Sequence, residues 1–299
     1  MTHPLESLIS IASITSICEV SHITERADGA VCYRQRNGEV LHIAAEKCGL
    51  EILPDVFSSF EKLEKLFIGR NKLKTCPDRL AQLKSLKELY IYGNDLKTLP
   101  DSLGALSELR ILDLSHQGLE SLPQTIGQLS KLEILYASNT LIAELPESLW
   151  QLKKLKYLNL TDNKLSSLPD AISDLATLRE LRLYNNGLTE IPDQLCRLKD
   201  LRELYLNGNQ LQKLPKNIGD LKNLEVLDLR NNQIQVIPES IVQLDNLIHL
   251  DLRANHFLTL PDSLAHLPKL KKLDLRWSHL RDHPKWLQTL EDRGCAIYL

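Results

Sequence analysis

One pattern of leucine spacing recurs along most of the chain. Aligned on L-x-x-L-x-L-x-x-N-x-L-x-x-L-P-x-x-L-x-x-L-x-x, residues 40–292 divide into eleven copies of 23 residues, with no insertion or deletion. Seven apolar positions per copy give 77 positions, and only His283 breaks the apolar pattern. A single copy cannot bury its own apolar stripe, so the fixed period predicts units that stack on their neighbours.

Composition and charge exclude two classes of partner. Leucine makes up 64 of 299 residues, which fits a repeat built on leucine. Lys and Arg number 36 against 39 Asp and Glu, and the net charge of -3 provides no field to attract nucleic acid or an anionic membrane. The apolar runs are also shorter than the roughly 18 residues of a membrane span. We therefore expect neither nucleic acid nor a membrane as partner.

Three positions of the repeat predict its local structure. Each L-x-L segment is typical of a short strand with two leucines pointing inward. Proline occupies the fifteenth position of all eleven copies, from Pro54 to Pro284, and removes a backbone donor where a full helix would otherwise start. The ninth position is mostly Asn, whose amide can satisfy buried backbone groups at the bend after the strand.

These motifs resemble the leucine-rich repeat family over residues 40–292. The L-P-x-x-L-x-x-L half is similar to the intracellular Ras-suppressor-like and plant Ras-group repeats, and also to repeat modules of bacterial effectors. The resemblance implies an α/β fold class: a right-handed horseshoe-shaped solenoid with a parallel sheet on its concave face. Short helical or extended segments would form the convex face.

Both ends of such a stack need caps, because they would otherwise expose apolar surface. Residues 1–39 are predicted to form an N-terminal cap, with a helix over residues 3–20 and an antiparallel hairpin strand. Asn37-Gly38 is a strong two-residue hairpin signal between that strand and the first repeat. At the other end, a last helix over residues 284–292 precedes a capping strand over residues 293–299.

The six cysteines are far apart in the sequence and include no C-x-x-C pair. This spacing predicts neither a zinc site nor a disulfide-paired cap, and it favours a reducing compartment. We therefore expect a cytoplasmic protein, or alternatively a bacterial effector that is delivered to a host cytoplasm.

Positions on either side of the inward leucines should face the concave side of the sheet. Six of the eight tyrosines occupy these positions, joined by three apolar residues: Phe67, Tyr90, Tyr92, Ile111, Ile134, Tyr136, Tyr157, Tyr184 and Tyr205. At about 4.8 Å per strand, Tyr90 and Tyr205 would be roughly 24 Å apart. A patch of this size predicts a partner-binding site. The alternative is that tyrosine occurs there only for its strand propensity.

Charged residues replace the aromatic residues in repeats nine to eleven. One row holds Asp228, Asp251 and Asp274, and a second row holds Arg230, Arg253 and Arg276. The two rows either neutralise each other or select a partner of complementary charge, with Arg253, Arg276 and Trp277 as anchors. A metal site built from Asp228, His249, Asp251 and Asp274 is disfavoured, because three arginines compete with a cation.

No motif of a known catalytic chemistry occurs, and an uninterrupted period leaves no inserted loop to build a pocket. The sequence therefore predicts a non-enzymatic protein-binding module without cofactor or metal, acting as a monomeric scaffold, adaptor or exported effector. The family resemblance implies a small GTPase or a phosphatase as partner. The alternatives are a glycan or peptidoglycan receptor and, more remotely, a cryptic enzyme.

Overall fold

The computed structural model describes residues 16–20, 22, 29–281 and 283–299. The chain comprises two compact units, Met1–Leu155 and Lys156–Leu299. Each unit is a stack of coils, and each coil has a short strand followed by a tight helical turn. The predicted class, parallel strands joined by short helical segments in a leucine-rich repeat solenoid, is confirmed.

Unit 1 contains seven described strands that are hydrogen-bonded in chain order. They are β1 (Ser16–Glu19), β2 (Ala30–Arg36), β3 (Glu39–Ala44), β4 (Lys65–Phe67), β5 (Glu88–Tyr90), β6 (Ile111–Asp113) and β7 (Ile134–Tyr136). Strands β3 to β7 are parallel, whereas β2 runs antiparallel to β3. Its 3-10 turns span Asp55–Ser59, Asp78–Gln82, Asp101–Ala105, Gln124–Gln128 and Glu147–Gln151.

Unit 2 contains seven parallel strands, also in chain order. They are β8 (Tyr157–Asn159), β9 (Glu180–Arg182), β10 (Glu203–Tyr205), β11 (Val226–Asp228), β12 (His249–Asp251), β13 (Lys272–Asp274) and β14 (Ala296–Tyr298). Its 3-10 turns span Asp170–Asp174, Asp193–Arg197, Ile218–Asp220, Glu239–Gln243 and Asp262–His266, and the helix α1 spans Leu287–Asp292.

Proline starts most of the turns, as the repeat pattern predicts. Pro192 has extended backbone (φ -66°, ψ 142°) and immediately precedes the turn Asp193–Arg197. Its carbonyl accepts a hydrogen bond from the Leu195 amide at 3.0 Å, so the turn closes over three residues. This tight turn buries Leu195 and Cys196 while using few residues.

Buried asparagines connect successive coils. The Asn209 side-chain oxygen accepts a hydrogen bond from the Leu188 amide at 3.1 Å. Its nitrogen donates to the Leu183 and Leu206 carbonyls at 3.0 and 2.9 Å. Backbone groups that the bend would leave unpaired are thereby satisfied, as predicted for this position.

The residue before the asparagine position has left-handed backbone in every copy, which the sequence did not indicate. Two copies place glycine there, Gly93 (φ 63°) and Gly208 (φ 68°). The other nine use residues with side chains, which include Ala254 (φ 49°) and Trp277 (φ 57°). The bend of the coil therefore imposes a conformation that most side chains avoid.

The N-terminal hairpin has the predicted turn. Asn37 and Gly38 have φ values of 54° and 81°, and β2 pairs with β3 antiparallel on either side of them. The helix predicted over residues 3–20 falls mostly outside the described residues. Its described part, Ser16–Glu19, is instead the strand β1, parallel to β2, so a helix there is wrong. Ile and Thr are frequent in this segment and favour a strand.

At the C-terminal end, α1 and β14 lie within the segments for which a last helix and a final strand are predicted. Gly294 has a φ of 83° and ends the helix. Within the described parts of the chain, no helix is both long and apolar enough to span a bilayer.

Candidate functional site

The three-residue strands β4 to β13 bury their central leucine and leave most of the flanking residues partly accessible. In β10, for example, Leu204 is buried whereas Glu203 and Tyr205 are half-buried. This alternation follows from the two-residue period of a strand. It places Tyr90, Tyr136, Ile134, Tyr157 and Tyr205 on the accessible side of their own units, as the sequence predicts.

Phe67 is a correction to the predicted partner-binding set. Its side chain is only 7% exposed and lies in a buried cluster with Ala30, Cys32 and Ala44 of the N-terminal hairpin. The ring stacks on Tyr90, with centroids 4.6 Å apart and planes 5° from parallel. The hairpin therefore covers Phe67, and only Tyr90 of this pair stays accessible.

Tyr92 of unit 1 is held by neighbouring polar groups. The Tyr92 hydroxyl donates a hydrogen bond to Glu46 at 2.9 Å, and the Arg70 guanidinium lies 5.7 Å from the ring centre. The ring packs over Gly69, where an added Cβ would lie 2.6 Å from the Tyr92 ring. Tyr92 therefore has a fixed orientation before any partner binds.

In unit 2, an arginine that the sequence analysis did not single out organises two of the tyrosines. The Arg182 guanidinium lies 5.7 Å from the centre of the Tyr157 ring and 4.9 Å from the centre of the Tyr205 ring. Its Nε donates to Glu180 at 2.5 Å. The three residues Tyr157, Arg182 and Tyr205 form what we call the Tyr–Arg–Tyr stack. Tyr184, two residues after Arg182, is half-buried.

The tyrosine hydroxyls of two strands donate to glutamates of the same strand. Tyr205 donates to Glu203 at 2.6 Å and Tyr90 donates to Glu88 at 3.3 Å. Burial, together with the adjacent glutamate, raises the pKa of both phenols above its ordinary value. Both hydroxyls are therefore protonated at neutral pH and act as donors.

The Asp row and the Arg row form ion pairs with each other. This is the predicted alternative in which the two rows neutralise each other. Arg253 holds Asp251 through two nitrogens, at 2.9 Å (Nε to Oδ1) and 2.6 Å (Nη2 to Oδ2). Arg276 holds Asp274 in the same way, at 3.0 and 2.8 Å. Arg253 Nε also lies 3.4 Å from Asp274 Oδ2. Asp274 is 0% exposed, so its predicted role in contacting a partner is wrong.

The pairing is weakest at Asp228. Arg230 Nε lies 3.4 Å from its carboxylate, and Arg230 is itself exposed. Burial raises the pKa of Asp228 to about 6, the Asp251 charge adds to the rise, and the Arg230 amide and charge oppose it. For Asp274, burial also favours a higher pKa, but hydrogen bonds from Arg276 and the arginine charges outweigh it and lower the pKa.

A cavity of about 210 Å³ opens on the strand face of unit 2 where aromatic and acidic residues meet. Tyr205, Val226, Asp228, His249 and Lys272 contribute to its wall. A larger cavity of about 470 Å³ lies beside the proline-initiated turns near Pro192 and Pro215, away from the strand face. The smaller cavity is therefore the one that adjoins the Tyr–Arg–Tyr stack.

Tyr298 extends the aromatic surface at the C-terminal end, which the sequence analysis missed. It pairs with Asp274 in the parallel register of β13 and β14 and is 42% exposed. The Arg276 guanidinium lies 5.2 Å from the Tyr298 ring and 5.5 Å from the Trp277 ring. Trp277, as predicted for an anchor, is accessible, with 73% exposure.

Two of the six cysteines lie close together at the N-terminal end of unit 1. Cys18 and Cys32, 14 residues apart, are paired across β1 and β2, and their sulfur atoms are 2.9 Å apart. Both are free thiols, and their approach was not indicated by their spacing in the sequence. In the part of the chain that the structure describes, no group of three or more His, Cys, Asp or Glu residues could hold a metal ion.

Comparisons with known proteins agree with this architecture. Residues 94–208 and 192–292 match a family model described as a leucine-rich repeat region, and residues 40–96 match a second leucine-rich repeat model. A leucine-rich repeat protein of Leptospira interrogans is 28% identical, with a TM-score of 0.50, over 84% of this chain and 82% of its own. No curated protein matches the chain in sequence.

Two further solved structures are similar. A TDR receptor is 25% identical with a TM-score of 0.78, covering 87% of this chain and 47% of the receptor. A chain in the octameric complex of Latrophilin 3, Unc5D and FLRT2 is 27% identical with a TM-score of 0.62, covering 69% of this chain and 65% of that one. This chain therefore spans less than half the length of the TDR receptor structure.

Proposed function

This chain belongs to the leucine-rich repeat family, and from that premise we propose that it is a non-enzymatic protein-binding module. Leucine-rich repeats typically serve as protein interaction modules. We place the centre of binding on the strand face of unit 2, at the Tyr–Arg–Tyr stack and the adjoining cavity. Tyr90, Tyr92, Ile134 and Tyr136 are proposed as a second contact region on unit 1.

The observation that carries the proposal is the Tyr–Arg–Tyr stack. Tyr and Arg dominate the binding energy of protein interfaces, and here both types lie half-exposed on one strand face. Glu180 and the two rings already hold Arg182, so a partner would order few side chains when it binds. Strand propensity accounts for tyrosine in a sheet, but it does not account for an arginine held between two rings.

The cavity beside Tyr205 indicates what kind of group a partner would present. Asp228 carries an acidic charge that Arg230 compensates only in part, and Val226 adds an apolar wall. A basic side chain with an aliphatic stem, Lys or Arg, is complementary to this combination. Around the cavity, the proposed rim comprises Asp251, Arg253, Arg230, Arg276 and Trp277, with Tyr184 on the other side.

A glycan or peptidoglycan ligand is the rival proposal, because aromatic rings beside carboxylates also suit sugars. Two contacts argue against it. Arg182 already lies against the Tyr157 and Tyr205 rings that a sugar would stack on, and the Glu203 carboxylate already accepts the Tyr205 hydroxyl. A protein surface, which does not require a free ring face, is the better fit.

The type of leucine-rich repeat, the location of the protein and its class of partner are also proposals. The uninterrupted 23-residue period and the turns that begin after proline support the intracellular Ras-suppressor-like or plant Ras-group type, or a bacterial effector module. On that basis we assign the chain as a cytoplasmic signalling scaffold, adaptor or delivered effector that acts as a monomer. A small GTPase or a phosphatase is the partner class that this resemblance implies.

The test is affinity capture from a lysate of the source organism, followed by binding measurements with the purified partner. Arg182→Ala should weaken binding about tenfold, because it removes the group that orders both rings. Val236→Ala is the matched control, since Val236 is 67% exposed but lies outside the strands. Equal loss in both variants, or protection of the tyrosines by soluble peptidoglycan fragments alone, would contradict the proposal.

A further inference from the structure

Three of the six cysteines lie close together at the N-terminal end of unit 1. Cys18 is on β1, Cys32 is on β2 and Cys48 follows β3. The Cys48 thiol donates to the Ala30 carbonyl at 3.5 Å, and Cys18 pairs with Cys32 in the strand register. The Cys18 and Cys32 sulfur atoms are 2.9 Å apart.

The backbone positions of Cys18 and Cys32 suit a covalent link. Register partners on adjacent strands are about 4.8 Å apart, within the 4.4 to 6.8 Å range of Cα separations in disulfides. Because the two residues are direct partners, both side chains point to the same face of the sheet. The sulfur atoms would have to approach by less than about 1 Å to reach the bond length of about 2.05 Å.

We propose that Cys18 and Cys32 are a disulfide-forming pair that crosslinks β1 to β2 when the protein meets a low-molecular-weight disulfide such as oxidised glutathione. This site is independent of the proposed partner-binding surface of unit 2.

The reaction proceeds by two thiol–disulfide exchanges. The Cys18 thiolate, which is the more accessible, attacks one sulfur of the oxidant and releases the first small thiolate. The Cys32 thiolate then attacks the Cys18 sulfur of the mixed disulfide and releases the second. Two protein thiols are oxidised to one disulfide, the oxidant is reduced to two small thiols, and these take up the two protons.

Proximity rather than acidity selects this pair. Burial raises the pKa of Cys18 to about 11, and the hydrogen bond and charge of Cys32 add to the rise. Burial also raises the pKa of Cys48 to about 11 and that of Cys196 to about 12. All three thiols are therefore protonated at neutral pH, and the first exchange is slow there and speeds up with rising pH.

The crosslink would fix β1 against the buried cluster that contains Phe67. Cys32 belongs to the buried cluster with Ala30, Ala44 and Phe67, and Cys18 and Val20 pack against it. Among the described strands β1 is at the end of the order and pairs with β2. A bond to β2 therefore ties down the outermost strand of the cluster, so the oxidised protein should resist local opening and proteolysis at this end.

The experiment uses the full chain, first reduced and then incubated with oxidised glutathione at pH 8.5. Free thiols are alkylated in denaturant, counted by intact mass and mapped by peptide mass spectrometry. The proposal predicts that four of the six cysteines are alkylated, that a Cys18–Cys32 peptide is found, and that dithiothreitol restores all six. Alkylation of all six, or a crosslink between other cysteines, would overturn it.

Two variants separate the pair from its neighbour. On incubation with oxidised glutathione, Cys48→Ser should lose two free thiols, as the wild type does. If this variant has a native circular dichroism spectrum and does not crosslink, the proposal is overturned. Cys32→Ser should retain glutathione on Cys18, because the second exchange has no thiol to complete it. A Cys32→Ser protein that forms a new protein disulfide on Cys18 would also overturn the assignment.

Discussion

Asp228 and Asp274 occupy the same position in two repeats, yet arginines neutralise Asp274 far more completely than Asp228. Two nitrogens of Arg276 donate hydrogen bonds to the Asp274 carboxylate at 3.0 and 2.8 Å. Arg253 Nε lies 3.4 Å from Asp274 Oδ2. Asp228 has Arg230 at 3.4 Å. The same repeat position therefore holds a stabilising carboxylate at Asp274 and a destabilising one at Asp228.

The two aspartates predict opposite effects of the same substitution at pH 7. The pKa of Asp228 is raised from 3.8 to about 6. The Asp228 charge therefore destabilises the fold when the pH is above about 6. Asp228→Asn should therefore raise the free energy of unfolding by about 1 to 2 kcal/mol at pH 7. The gain should shrink as the pH falls from 6 and vanish below about 3.8, where the wild-type group is protonated whether folded or unfolded.

Asp274→Asn is the counterpart, because the pKa of Asp274 is lowered. Its charge adds stability that is present above pH 3.8 and is lost as the pH falls through the lowered value. We expect this variant to unfold more easily at pH 7, at lower urea concentration than the wild type. Urea titrations from pH 3 to 8 measure both effects, and equal shifts of the same sign would refute the difference in pairing.

Trp277 combines strain with exposure, so its roles in folding and binding can be separated. Its φ of 57° is unfavourable for a large side chain, which is 73% exposed. Trp277→Gly should leave the free energy of unfolding unchanged or raise it by about 1 kcal/mol, while weakening partner binding. Ala254→Gly, at the same repeat position, is the control and should leave binding unchanged. Denaturant unfolding and calorimetric binding measure the two effects.

Gly219 is predicted to be intolerant of a side chain. A Cβ at this position would lie 2.0 Å from the Ser240 carbonyl oxygen of the next coil, a backbone atom that cannot move aside. Gly219→Ala should therefore lower the free energy of unfolding by about 2 kcal/mol, as for other overpacked sites. In Gly187→Ala the nearest atom is the Leu165 carbonyl oxygen at 3.4 Å, and the loss should be much smaller. Thermal unfolding compares the two, and similar melting temperatures would contradict the steric argument.

The buried asparagines are predicted to stabilise the stack strongly. Asn255 is 0% exposed, accepts from the Ile234 amide at 3.1 Å and donates to the Leu229 and Leu252 carbonyls at 2.9 and 3.0 Å. Asn255→Ala leaves these groups unpaired and should cost about 3 kcal/mol of unfolding free energy. Asn223→Ala, which removes one exposed hydrogen bond to Lys199, should cost less than about 1 kcal/mol. A cost at Asn255 no larger than that at Asn223 would be evidence against the coil-bridging role.

Features that depend on one copy of the repeat were predictable from the sequence. Proline at a fixed position and two inward leucines specify a turn and a strand whatever the neighbours are, and Asn37-Gly38 specifies its hairpin turn locally. The accessible side of each strand follows from the same alternation. The positions of Tyr136 and Tyr205 were predicted for this reason.

Features that depend on what lies on the adjacent strand were missed. The Cys18–Cys32 approach needs the parallel pairing of β1 with β2, which their separation of 14 residues does not reveal. Arg182 gains its role only because Tyr205 is its register partner, and Phe67 is covered only because the hairpin strand folds beside it. Asp274 resembled its row-mates in sequence, but two arginines enclose it.

The most direct test of the central claim is the dissociation constant of the purified partner for the wild type and for Tyr157→Ala combined with Tyr205→Ala. Both side chains are partly exposed, so the double variant should fold normally while binding at least tenfold more weakly. Val236→Ala should bind like the wild type. An unchanged dissociation constant in a natively folded double variant would show that the partner binds elsewhere.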